Sequence, residues 1–270
     1  MFTEVLTTSL QLLGTPVSPS VIPFGWGTTL HAARISLVFN TLKHSSKSNL
    51  SFGANLIGYL LMCWGGSIGT HVLLGLPPPQ LYAIGPWMNY STVHILLTSL
   101  FNYIPVPNPT TTNLVLFPLD GLLRANSVLV TLSMLKLPSV NPLLAASPLF
   151  HFILGAVASA GGGLLGTTLS VWTESWQLST PPPLRAGVWG LWSTLDIWAG
   201  GVVAVVYGIL TAHPAFPSLL GEEPASISAA RASSAALMIA FFALRVFVTP
   251  LTSPRPPPVA KKSGKKEKTQ

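Results

Sequence analysis

The chain has 270 residues, of which 49% are hydrophobic and only 8% are Asp, Glu, Lys or Arg, and its mean hydropathy is +0.56. Soluble proteins carry about 25% charged residues, whereas here none occurs from Ser48 to Leu119 or from Leu137 to Thr173. An ordinary cytosolic enzyme and a nucleic-acid-binding domain are thereby excluded, and an all-α polytopic membrane protein is predicted.

Most of the formal charge of +7 gathers in the tail that begins at Arg255. Residues 1–23 read as a lumenal N-terminal segment. Met1 to Leu13 holds Glu4 and no basic residue, unlike a cleavable signal peptide, so the first span is expected to direct insertion.

A crossing helix needs about 20 apolar residues, and seven candidates meet this with turn signals between them. The first is Phe24–Leu42, with His31 and Arg34 inside. The second, Ala54–Leu76, stops at Pro77, Pro78 and Pro79. The third is Ile84–Ile104, followed by Pro105 and Pro107. The fourth, Thr112–Leu135, contains Asp120 and Arg124. The fifth, Pro148–Val171, precedes Pro181, Pro182 and Pro183. The sixth, Arg185–Leu210, carries Asp196, and the seventh, Ile227–Val248, carries Arg245. Proline clusters end helices because the ring removes a donor and clashes with the preceding turn. The expected channel domain is 24–249, and a basic tail follows at 250–270.

Short loops rich in Lys and Arg face the cytosol. Lys43 and Lys47 follow the first span, and a lysine cluster from Lys261 follows the seventh. With seven spans these share a side, which predicts a lumenal N-terminus and a cytosolic C-terminus. Lys136 votes against, on the lumenal side.

The sequence repeats. Gly65-Gly66-Ser67-Ile68-Gly69-Thr70 and Gly162-Gly163-Leu164-Leu165-Gly166-Thr167 both read G-G-x-x-G-T, and a triple proline follows each. Downstream, Ser91-Thr92-Val93-His94-Ile95 matches Ser193-Thr194-Leu195-Asp196-Ile197; upstream, Arg34 matches Arg124. Repeat one is 24–105, repeat two is 112–211, and the seventh helix is 227–249. An odd number of spans per copy makes the repeats inverted, and folds of that kind place a pathway near the midplane. Gly65, Gly66, Gly69, Gly162, Gly163 and Gly166 could serve as small faces for close helix packing, but their recurrence at matching positions of the two copies favours kinks that shape a pathway.

Ionisable residues within spans cost about 2.5–3.5 kcal/mol each on insertion scales. Arg34, Asp120, Arg124 and Asp196 are therefore the candidate pore and lipid-binding residues. Asp120 and Arg124 are placed to pair along one helical face. Asp196 would attract a cation or neutralise an arginine. His71 and His94 read as buried histidines with satisfied hydrogen bonds. No nucleophile triad, P-loop or zinc-protease pattern occurs, so an enzyme is not expected. The single cysteine, Cys63, rules out an intrachain disulfide, and no metal site or resident cofactor is predicted.

The chain ends Lys266-Glu267-Lys268-Thr269-Gln270. Lys266 and Lys268 fit a K-x-K-x-x retrieval signal of endoplasmic-reticulum membrane proteins, which requires a cytosolic C-terminus.

Together these residues resemble the trimeric intracellular cation channels. Gly66-Ser67 and the exit Leu74-Gly75-Leu76-Pro77-Pro78 look like that family's second helix, and the glycine-rich fifth span is similar too. The resemblance covers about Gly25 to Val248. In the family a Lys-Glu-Val motif and a later Arg on the fourth helix line the pore and hold a phosphoinositide. Asp120-Gly121-Leu122 stands in the place of that motif, and only Arg124 carries over, as in a divergent member. The resemblance implies a homotrimer in the endoplasmic-reticulum membrane or nuclear envelope. It also implies a pore in each protomer, between the second and fifth helices. Potassium would pass as counter-ion to calcium movement, and membrane lipids, phosphoinositide included, would be the partners. Two alternatives have other chemistry: a secondary carrier built on the same repeats, and a non-conducting membrane scaffold.

Overall fold

The computed structural model describes residues 2–181, 184, 194–216 and 223–252. Among them the chain forms α1 (Phe2–Gly14), an antiparallel ribbon of β1 (Pro16–Ser18) and β2 (Ile22–Gly25), then α2 (Trp26–Ser45), α3 (Phe52–Leu74) and α4 (Ile84–Leu100). There follow α5 (Pro109–Met134), the short α6 (Pro142–Ala145), α7 (Pro148–Leu169), α8 (Leu195–Leu210) and α9 (Ile227–Thr252). Helices α2, α3, α4, α5, α7, α8 and α9 stand where the seven spans are expected. Residues 185–193 of the sixth span, and Lys266 and Lys268, lie outside the described residues.

Four of these helices, α3, α5, α7 and α9, are long and apolar enough to cross a membrane. Only 33% to 44% of their most apolar stretches is buried inside the chain. The remaining apolar surface faces outward, which lipid accepts and water does not. The chain is a helical, multi-pass membrane protein.

The helix ends follow local chemistry. The Ser51 side chain accepts from the Ala54 amide to cap α3, whose end is set by Gly75 at φ 68. A left-handed residue there costs glycine nothing. Asn108 caps α5 through the Thr110 and Thr111 amides, with Pro109 at the first helical position. Ser147 caps α7 in the same manner, ahead of Pro148. Helix α1 was not foreseen, because a 13-residue helix is too short to register as a span. Its Leu6, Leu10 and Leu13 are spaced on one face and buried, and Leu10 and Leu13 join the same apolar cluster as residues of α5, α7, α8 and α9.

Two apolar clusters organise the interior. One gathers Phe39, Tyr59, Leu60 and Trp64 among α2, α3 and α4. The other gathers Val128, Leu154, Val203 and Met238 among α5, α7, α8 and α9. Helix α4 turns the usual pattern inside out: its buried residues are Asn89, Tyr90 and His94, while Ile84, Met88 and Leu96 are exposed. Its inner face bonds to α2 in ascending rungs. Thr29 meets Asn89, His31 meets Tyr90, Ser36 meets His94, and Asn40 meets Thr98. Both residue numbers rise together, so α2 and α4 run parallel and α3 returns between them.

The two clusters are joined where α3 crosses α7. A Cβ on Gly65 would lie 3.0 Å from the Gly162 Cα, and one on Gly161 would lie 2.8 Å from the Gly66 Cα. The helices run antiparallel, since Gly58 meets Val171 whereas Gly69 meets Val157. Helical structure is unbroken through both glycine clusters. The glycines thus serve close packing, where a kink beside a pathway was the expectation. Gly163 differs, with nothing within 4 Å of its Cβ position.

Candidate functional site: a charge network among the helices

Five charged side chains from four helices come together. Arg34 on α2 donates from Nε to Asp120 Oδ1 at 2.7 Å and from Nη2 to Asp120 Oδ2 at 2.8 Å. The planar guanidinium fits a carboxylate with two parallel bonds, which fixes both partners. The same Nη2 donates to Asn113 Oδ1 at 2.8 Å. The side chains of Arg34 and Asp120 are 9% and 12% exposed, so the pair is largely removed from solvent. Pro118 lies within α5 just before Asp120 and takes one helix hydrogen bond out of the ladder beside the site.

The second pair is looser. Arg245 on α9 donates from Nη1 to Asp196 Oδ1 at 3.1 Å, and these side chains are 40% and 24% exposed. Asp196 therefore neutralises an arginine, one of the two roles expected of it.

Arg124 stands between the pairs. Among the described residues it has no carboxylate within salt-bridge distance. It donates from Nη1 to the Ser159 carbonyl of α7 at 2.7 Å. Its guanidinium lies 4.9 Å from the centre of the Phe242 ring, and that of Arg245 lies 5.7 Å from the same ring. An aromatic face attracts cations through its quadrupole, so Phe242 steadies two arginines at once. The charges of Asp196, Arg245, Asp120 and Arg34 are all near enough to act on Arg124. Counted at neutral pH, three arginines face two aspartates, and the excess positive charge belongs to Arg124.

One expectation needs correction. Asp120 does not pair with Arg124 along α5; it pairs with Arg34 across the α2–α5 contact. The helical spacing alone permits the first pairing, but the fork of an arginine on a neighbouring helix offers two bonds to one carboxylate. Of the candidate pore and lipid-binding residues, Arg34, Asp120, Arg124 and Asp196 all belong to the network. The glycines lie apart, at the α3–α7 crossing, where backbone meets backbone.

Sequence reading missed Asn113 and Phe242, since neither residue type stands out in a helix. It also missed the polar seam of the first three spans. His94 is central there: Nε2 lies 2.6 Å from Asn55 Oδ1 and Nδ1 lies 2.8 Å from Ser36 Oγ. A carbonyl oxygen only accepts, so Nε2 carries the proton and Nδ1 accepts from the serine. Its ring stacks on Tyr59 with centroids 3.9 Å apart. His94 is a satisfied neutral histidine, as expected. His71 likewise lies 2.7 Å from the Ser67 carbonyl through Nδ1.

No family model, no curated protein and no solved structure matches the chain. The site must therefore be read from its own chemistry.

Proposed function

We propose that the protein is a monovalent-cation channel, passing potassium in the endoplasmic-reticulum membrane, here in a closed arrangement. The observation that carries this reading is the network of Arg34, Asp120, Arg124, Asp196 and Arg245 inside a chain of which only 8% is charged. Ionisable groups at membrane depth are costly, and by default they mark ion pathways. Both carboxylates are held by arginines. Release of Arg34 from Asp120 would bare a carboxylate that attracts a cation, and re-pairing would close the path.

The seven-span, inverted-repeat architecture is part of the same proposal. It is supported by the crossing at which Gly65 meets Gly162, the first residues of the two motifs. Matching motifs touch where a two-fold axis in the membrane plane would pass. The resemblance to trimeric intracellular cation channels rests on the motifs of the second and fifth spans. It brings the homotrimer, the intracellular membrane and the phosphoinositide only as proposals.

A second reading is a non-conducting scaffold, favoured by the close backbone contact of α3 with α7. Planar-bilayer recording of the purified full chain in potassium solutions separates the two. Unitary currents that change in the Arg34→Gln/Asp120→Asn double variant support the channel. Silence with and without added phosphoinositide supports the scaffold, and saturable flux without unitary currents indicates a carrier.

A further inference from the structure

A cavity of about 430 Å³ opens between the C-terminal ends of α2 and α4. Its wall includes Asn40, Lys43, His44, Lys47, Thr98 and Asn102, and no acidic residue lines it. It is separate from the charge network, which lies at the α2–α5 and α8–α9 contacts.

The basic side chains are uncommitted. Among the described residues, the side chains of Lys43, His44 and Lys47 form no hydrogen bond or salt bridge. Capping of the helix ends does not use them either. The Leu42, Lys43 and His44 carbonyls accept from the Ser46, Ser48 and Lys47 amides, and the Ser46 hydroxyl also donates to the Lys43 carbonyl. At the end of α4 the Leu97, Ser99 and Leu100 carbonyls accept from the amides of Phe101, Asn102, Tyr103 and Ile104. Lys47 has φ 55, the left-handed conformation that ends a helix and favours glycine. A lysine there is penalised by the backbone, yet it places a second ammonium group on the rim.

The floor is polar and held in place. Asn40 is 2% exposed. It donates from Nδ2 to the Ser36 carbonyl at 2.9 Å and to Thr98 Oγ1 at 3.2 Å. Ser36 in turn bonds His94. The cavity therefore combines a floor of hydrogen-bonded polar groups with an unpaired basic rim, at the point where the chain leaves α2.

We propose that this cavity binds a phosphomonoester group, the chemistry shared by an anionic lipid headgroup and a free phosphate. Such a group carries −1.5 to −2 charges near pH 7 and offers three acceptor oxygens. The two lysines match that charge, and Asn102 supplies a neutral donor. A zwitterionic headgroup brings a choline that the rim repels. The proposal goes beyond ion conduction and does not depend on it.

The test uses the full chain in detergent micelles, with thermal unfolding as the readout. Short-chain phosphatidic acid is expected to raise the midpoint, and short-chain phosphatidylcholine is not. In the Lys43→Gln/Lys47→Gln variant the apparent affinity for phosphatidic acid should fall roughly thirtyfold, with the ligand-free midpoint kept. Replacing Lys261, Lys262 and Lys265 by Gln should leave the response intact. Inorganic phosphate that matches phosphatidic acid identifies a soluble ligand; a response to the lipid alone identifies a headgroup site. Equal responses in wild type and the Lys43/Lys47 variant overturn the proposal, as does a wild type indifferent to both probes. A variant whose ligand-free midpoint collapses is replaced by Lys47→Gln alone, whose exposed side chain touches no partner, and the same comparison decides.

Discussion

Arg34 and Asp120 hold each other in surroundings that suit neither alone. Removing one partner of a buried pair leaves an uncompensated charge and costs about 3–5 kcal/mol, whereas replacing both by neutral groups costs much less. Asp120→Asn and Arg34→Gln should each lower the unfolding midpoint strongly, and the double variant should recover most of the loss. A double-mutant cycle in detergent reads the coupling, and additive losses would remove the pair from the account of stability. The charges themselves were legible in the sequence, because they stand out in long charge-free stretches. Their pairing was not. Spacing within a helix reveals which groups share a face, but which arginine reaches a carboxylate depends on how α2 lies against α5, and no local pattern encodes that.

Helices carry their own signals, and here prolines, turn signals and apolar runs placed most boundaries within a few positions. The role of the glycines needed the neighbouring helix. Gly162 and Gly163 are adjacent in one motif, yet a Cβ on Gly162 would run into the Met62 carbonyl of α3, whereas one on Gly163 meets nothing within 4 Å. Overpacking costs about 1–3 kcal/mol, while Ala in place of an unobstructed helical Gly gains up to about 1 kcal/mol. Gly162→Ala should therefore lower the thermal midpoint and Gly163→Ala should keep or raise it. Equal effects in melting experiments would refute the packing role. Helix α4 makes a similar point with polar groups. Its outward apolar face reads as a membrane helix, but its inward Asn89, Tyr90 and His94 become informative only beside α2. His94→Leu strands the Asn55 carbonyl oxygen and the Ser36 hydroxyl, at about 1–3 kcal/mol per buried group. His94→Gln keeps a donor for Asn55, so it should lose less in the same melts; equal loss would assign His94 to stacking on Tyr59 alone.

For the whole molecule, the direction of each helix decides what its ends face. Parallel rungs between α2 and α4 require α3 to come back between them, and the antiparallel α3–α7 crossing ties the second half to the first. If all these helices traverse the bilayer, the α2–α3 and α4–α5 loops share one side, and the α3–α4 and α5–α7 loops share the other. Cys63 is the only cysteine and is 7% exposed within α3, so the unmodified chain should resist a membrane-impermeant maleimide. Single cysteines can then report sidedness. Ser46 is an exposed loop residue, Tyr103 is 88% exposed, and Leu81 and Leu143 are each 79% exposed. In sealed vesicles Ser46→Cys and Tyr103→Cys should label from one face, and Leu81→Cys and Leu143→Cys only from the opposite face. In the proposed orientation, with Lys43 and Lys47 toward the cytosol, the first face is the cytosolic one. Labelling of Ser46→Cys and Leu81→Cys from the same side would mean that α3 does not cross. The inverted repeat would fall with it, because the two copies would no longer enter the bilayer from opposite sides.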